Sequence, residues 1–170
     1  MKQWKKYILS TVWSSLLIAQ IFLVFVFRMN NNAGLPVLRI AGWIIWALSI
    51  IFGWLPIFIF KRKGGVEKGK SYVHTSVLVD SGLYAIVRHP QYTAGILFSL
   101  ALILFSQTWL IAAMGSICIV LMYLDILNAD KYEIQKFGDE YKRYMEKVPG
   151  TNFILGVIRI IKQKMGSGKN

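Results

Sequence analysis

The sequence predicts an all-α fold, a polytopic membrane helical bundle of about four transmembrane helices with a cytosolic loop and C-terminal cytosolic and interfacial helices. Three observations carry this. Hydrophobic residues fill 55% of the 170 positions and gather in long blocks, which does not suit a soluble core. Tyr7 to Phe27 runs 21 residues without a charge, past the ~18 that mark a membrane-span candidate. Basic residues are also unevenly placed. Of 20 Lys and Arg, only Arg28 and Arg39 lie near the first short loop, and the other 18 fall at the N-terminus, between 61 and 88, or after 130. That is the positive-inside pattern, and it puts both termini and the central loop in the cytosol. It accounts for the net charge of +12 without nucleic acid and leaves cations for anionic headgroups.

In chain order, Met1 to Lys6 with Trp4 is a basic interfacial cap. Tyr7 to Phe27 is the first span, longer than a signal-peptide core and without a small-residue cleavage site before Arg28. Arg28 to Gly34 is a turn-forming loop, and Leu35-Pro36 opens the second span with proline where a helix tolerates it. This block runs to Phe60, 26 residues or about 39 Å as helix, so it tilts or bends, with Gly53 and Pro56 as the place. Trp43, Trp46 and Trp54 read as interface and packing residues. Lys61-Arg62-Lys63 stops the span, and Gly64 to Asp80 is a long charged connector. Gln91 to Ser106 forms the third span, Gln107-Thr108-Trp109 the outer turn, and Leu110 to Leu127 the fourth. Helical periodicity continues through Lys131, Tyr132, Ile134 and Phe137 to a stop at Gly138. Asp139 to Lys147 is a short amphipathic helix broken by Pro149-Gly150. Phe153 to Lys164 sets apolar beside basic residues, as an interfacial helix does, and Gly166 to Asn170 is a frayed end. The whole is one domain, residues 1–170.

Chemistry concentrates in residues 78 to 95, where Arg88, His89 and Tyr92 stand at the mouth of the third span. Polar groups there are costly unless used. The competing reading has Arg88 and Tyr92 anchoring a helix end in the headgroups. A single cysteine, Cys118, gives no intramolecular disulfide, and two histidines without a Cys-x-x-Cys give no transition-metal pattern. The loop from His74 to Tyr92 and the segment from Asp125 to Pro149 flank the third and fourth spans. A hairpin therefore brings them to one membrane face, around a single pocket.

Gly82-Leu83-Tyr84, Arg88-His89-Pro90-x-Tyr92-x-x-Gly95, Phe137-Gly138-Asp139-Glu140-Tyr141-x-x-Tyr144 and Val148-Pro149 together resemble the signature of the isoprenylcysteine carboxyl methyltransferase and phospholipid methyltransferase superfamily. The resemblance covers residues 72 to 156, the motif-bearing part of the domain. It implies an integral membrane enzyme dependent on S-adenosylmethionine, with cofactor entering from the cytosol and a lipid or lipid-modified substrate from the bilayer. The family's cofactor loop carries over to Leu78, Val79, Tyr84, His89, Pro90, Gln91 and Tyr92. His74-Thr75 matches a His-Thr pair, with two extra residues before Leu78.

Methyl transfer from a sulfonium needs a nucleophile held in line with the methyl carbon. Tyr84 and Tyr92 offer aromatic faces to a sulfonium or adenine, although Tyr84 also suits a core. Arg88 or His89 suits the cofactor carboxylate, arginine being the better bidentate partner. The family's arginine and, four residues later, its first glutamate stand here as Asp125 and Ala129, and its second acid as Asp130. Residues 125 and 129 share a helix face, so the local charge is inverted. Asp125, Asp130 and Arg88 are the catalytic candidates, and two carboxylates favour an amine or uncharged acceptor over a carboxylate. Arg143 is placed to restore a cation.

Two alternatives stand beside this. Membrane sterol reductases share an Arg-His-Pro-x-Tyr loop and bind NADPH, whose extra phosphate Lys68, Lys70 and Arg88 would suit. The other is a non-catalytic membrane scaffold.

Overall fold

The computed structural model describes residues 7–65 and 76–167, and every regular element among them is helical. In order these are α1 (Ile8–Ile21), which continues as a wider π-helical turn over Phe22–Val26, α2 (Pro36–Lys63), a 3₁₀ turn (Gly82–Ala85), α3 (Pro90–Ser106), α4 (Trp109–Phe137), α5 (Asp139–Lys147) and α6 (Phe153–Ser167). Trp4, Lys68, Lys70 and His74, named from the sequence, lie outside the described residues.

The chain packs as two compact units. Residues 1–51 and 94–129 form the first, and residues 52–93 and 130–170 the second. Three helical stretches, Ile8–Val26, Pro36–Lys63 and Trp109–Phe137, are long and apolar enough to cross a membrane, while α3 is apolar but shorter. Its 17 residues make about 26 Å of helix, a little under a ~30 Å hydrocarbon core.

In the first unit Val24, Ala101, Leu102, Phe105 and Ile111 make a buried cluster, with Leu17, Ile21, Ile45 and Trp46 around it. Outside that cluster large apolar side chains are exposed, among them Ile18, Phe22, Ile44, Ile117 and Val120. A surface of this kind is stable against lipid and not against water. Polar groups turn inward. Gln20, fully buried, donates from Nε2 to the Ile111 carbonyl (3.2 Å) and accepts from Ser99 Oγ (2.9 Å). The turns after α1 and α3 are tied by Gln107, whose amide accepts from the Leu35 N–H (2.8 Å) and donates to the Leu35 carbonyl (3.0 Å).

The expected first span differs at its end. The last turn is π-wound, with Phe27 N–H bonded to the Phe22 carbonyl (3.0 Å) and Met29 N–H to Leu23 (2.9 Å), so the ladder widens just before Arg28 turns the chain with φ 52°. α2 continues through Gly53 and Pro56 and ends at Lys63. The C-terminal helix runs to Ser167, past the frayed end expected from Gly166.

In the second unit, α4 stops at Gly138 (φ 60°, ψ −133°), a conformation a glycine adopts without the steric cost of a side chain. α5 then presents Tyr141 and Tyr144 on one face, the spacing of neighbours on a helix, and Val148 follows just past its end. They form a buried cluster with Leu78, Ile134, Phe137 and Met145.

Candidate functional site

The second unit brings Arg88, His89 and Asp130 together. Asp130 enters from α4, and Arg88 and His89 come from the short link between the 3₁₀ turn and α3. Arg88 Nη2 donates to Asp130 Oδ2 at 3.1 Å, His89 Nε2 meets Asp130 Oδ1 at 2.7 Å, and the Tyr141 hydroxyl donates to the same Oδ1 at 2.7 Å. Asp130, His89 and Tyr141 are all more than nine-tenths buried, so the carboxylate's charge is met by donors and not by solvent.

Arg88 makes further bonds through Nη1 and its backbone, while its buried Nε has no hydrogen-bond partner among the described residues. Its Nη1 donates to the Met145 carbonyl (3.1 Å) and to the Val148 carbonyl. Its backbone N–H bonds to the Pro149 carbonyl and that of His89 to the Gly150 carbonyl, both at 3.0 Å. Thr93 Oγ1 donates to the His89 carbonyl (3.0 Å) and reaches the Thr151 carbonyl at 3.4 Å. The loop is therefore laced to residues 145–151 chiefly through main-chain acceptors.

Of the cofactor-loop candidates, Val79, Tyr84, His89 and Pro90 are buried, and Leu78, Gln91 and Tyr92 are half-buried. The Tyr84 ring stacks on Phe60 with centroids 4.5 Å apart, which makes it part of the packed interior. Its carbonyl accepts from the buried Tyr144 hydroxyl at 2.6 Å. The Tyr92 ring stands edge-on to His89 at 5.8 Å. Asp125 belongs to the first unit, where it is buried and accepts from Trp13 Nε1 at 2.9 Å.

Tyr141 and Tyr144 were named in the sequence only as pattern residues, and the structure gives each a bond in the cluster. Burial, and for Tyr141 the hydrogen bond to Asp130, pushes both phenols above their ordinary range, so both remain protonated donors. The signal is their three-residue spacing on a helix whose other positions, Met145 apart, are charged.

Beside the cluster lies a cavity of about 320 Å³ lined by Leu78, Asp80, Glu140, Arg143, Tyr144, Lys147, Val148, Arg159 and Gln163. Its wall mixes cations with acids around two apolar side chains and a tyrosine, so it suits a ligand carrying both signs of charge. Arg143, placed by sequence as a cation near the site, is in this wall. Arg159 and Gln163, which sequence reasoning did not select, come from α6.

Residues 70–133 match the model of the isoprenylcysteine carboxyl methyltransferase family. The chain is similar to the protein-S-isoprenylcysteine O-methyltransferase of Schizosaccharomyces pombe, 28% identical over 93 residues, which cover 49% of this chain and 39% of that relative. The aligned part therefore spans about two fifths of the relative's length. No solved structure matches the chain. The matched segment holds the Arg-His-Pro loop, α3 and the part of α4 that carries Asp130, whereas Tyr141 and the acceptors at residues 145–151 lie beyond it. The family this chain matches, through residues 70–133, is the isoprenylcysteine carboxyl methyltransferase family.

Proposed function

We propose that the protein is an integral membrane methyltransferase that takes S-adenosylmethionine from the cytosol and a lipid-modified, isoprenylcysteine-type acceptor from the bilayer. The observation that carries this reading is the convergence of Arg88, His89 and Tyr141 on Asp130. It is a buried polar cluster whose Arg88, His89 and Asp130 lie within the stretch that the family match covers. The basic residues at Lys61-Arg62-Lys63 and after Asp130 support a cytosolic placement of loop and termini.

The cavity's donor set fits this cofactor. A zwitterionic amino-acid tail needs a cation and an acid, and Arg143 and Lys147 stand in the same wall as Asp80 and Glu140. Arg143 and Lys147 would hold the carboxylate and Asp80 or Glu140 the ammonium, with Leu78 and Tyr144 against the apolar part; Val79, Pro90, Gln91 and Tyr92 do not line this cavity. When bound, the cofactor supplies a methyl group on a positively charged sulfur. The chain's part is orientation and exclusion of water. Arg88, His89 and Asp130 lock the loop that must hold the reacting groups in line. Tyr141 and Tyr144 keep their protons and fix α5 against that loop.

The relative's name supports a prenylcysteine carboxylate as acceptor. A second acceptor class, an amino headgroup, rests on the sequence, in which an acid, Asp125, stands where the family carries an arginine. One experiment tests both readings: purified protein in lipid nanodiscs, labelled methyl donor, and either an S-farnesylcysteine derivative or a total lipid extract. The expected product is a base-labile methyl ester on farnesylcysteine. A base-stable label on amino lipid would select the second acceptor. Neither label, with no donor binding by calorimetry, would overturn the enzyme.

A further inference from the structure

The outward face of α6 plays no part in the reading above, and its residues divide cleanly by direction. At about 100° per residue, Ile154, Ile158, Ile161 and Met165 fall on one stripe, and they are 59%, 44%, 51% and 70% exposed. The exposed Lys162 and Lys164 fall on opposite flanks of that stripe. Gly156, Arg159 and Gln163 fall on the far side.

That far side is docked at Gly156 and Arg159, while Gln163 stays exposed. Gly156 is buried, and a Cβ there would collide with the Ile86 carbonyl. The Arg159 guanidinium donates to the carbonyls of Ala85 and Lys147, and Arg159 and Gln163 wall the cavity. At the helix start, Phe153 packs on Phe52 of the apolar α2 with centroids 5.4 Å apart.

We propose that α6 takes an anionic lipid surface as its partner, lying in the headgroup layer, and that this contact braces the Arg88-His89 loop through Gly156 and Arg159. An apolar stripe centred between two lysines is the pattern of a helix that sinks its aliphatic side chains to the acyl boundary and lifts its ammonium groups to the phosphates. Charge selects lipid over a second copy of the chain. Pairing two such faces would bring lysine flanks of one sign together, whereas anionic headgroups neutralise them. The bracing follows from the docked side, since α6 grips the peptide at Ala85 and Ile86, two residues before Arg88. Whatever fixes α6 therefore fixes the loop whose next amides bond to Pro149 and Gly150.

Hydrogen–deuterium exchange on the full chain in nanodiscs tests this without methyl donor or acceptor, so its outcome is independent of the enzymatic reading. Discs of phosphatidylcholine alone are compared with discs doped with phosphatidylglycerol. The anionic discs are expected to slow exchange in residues 153–165 severalfold, and to a smaller extent in residues 84–89. Ile158→Glu, and the pair Lys162→Glu with Lys164→Glu, should abolish both effects while α1 and α3 stay protected. Arg159→Met should keep the slowing in α6 and lose it in the loop. Equal exchange in the two lipids, or slowing that survives Ile158→Glu, would overturn the proposal. So would particles holding two copies with α6 protected in neutral lipid.

Discussion

Asp130→Asn removes one charge and keeps the side chain's size, so it isolates what the carboxylate does. In the wild type its oxygens face Arg88 Nη2 at 3.1 Å, His89 Nε2 at 2.7 Å and the Tyr141 hydroxyl at 2.7 Å. The ion pair's side chains are only 11% and 10% exposed, so water screens it weakly. Hydrogen bonds to a charged group contribute about 1.5–3 kcal/mol each, and removing one partner of a buried pair costs about 3–5 kcal/mol. These figures describe overlapping interactions and do not add. Asparagine retains one acceptor but turns an NH₂ towards a site already crowded with donors, so a loss of about 3 kcal/mol is expected. For a chain of this size that is roughly 6–12 °C in Tm. The assay is thermal unfolding in one detergent, followed by tryptophan fluorescence, for Asp130→Asn, Tyr141→Phe and the double variant. Tyr141→Phe alone should cost about 1–2 kcal/mol, and the pair should couple by about 1 kcal/mol. A loss below about 0.5 kcal/mol for Asp130→Asn, with additive singles, would refute the view that this carboxylate holds the loop.

Other outcomes follow from separate parts of the molecule. Gly138→Ala places a side chain in open space but at φ 60°, so its cost is backbone strain of about 1–3 kcal/mol; unchanged Tm would mean α4 does not end in that conformation. Gln20→Leu removes bonds to Ile111 and Ser99 and should cost about 0.6–1.7 kcal/mol, the range for polar contacts between membrane helices; a gain in stability would show that packing outweighs them. At alkaline pH the sign comes from Tyr141, whose phenol burial pushes above its ordinary 10. The folded state keeps a proton that the unfolded chain releases, so stability is complete below about pH 10 and is lost as pH rises beyond it. Tyr141→Phe should therefore show a shallower fall in Tm above pH 10, and equal slopes would refute the assignment.

Much of the helical plan was legible because membrane helices and their breakers are local signals. α5 has the bounds expected of it, Asp139 to Lys147, because Gly138 on one side and Pro149-Gly150 on the other are read from residue type alone. The extension of α4 to Phe137 followed from periodicity. The π-wound end of α1 was not legible, since Phe22 to Val26 has the composition of ordinary helix. The division into two compact units was not legible either, because it depends on which faces pack and no composition shift marks it.

At the site, sequence located the charged partners and missed the acceptors. The sequence offers Arg88 as a catalytic candidate, a ligand for a cofactor carboxylate or a lipid anchor, and in the structure its guanidinium bonds to Asp130 and to the carbonyls of Met145 and Val148. A carbonyl belongs to every residue and leaves no mark in a motif. The geometry does explain one pairing that the motif could only display. Pro149 cannot continue α5, and the chain leaves that helix extended at Val148 (φ −116°, ψ 125°). The next two carbonyls, of Pro149 and Gly150, then stand free of any helix and accept from the successive amides of Arg88 and His89. The Arg-His and Pro-Gly dipeptides, about 60 residues apart, are thus two sides of one short main-chain ladder, with the Arg88 side chain and Asp130 closing it from the flank. The proline serves the site by ending a helix early enough to expose these acceptors.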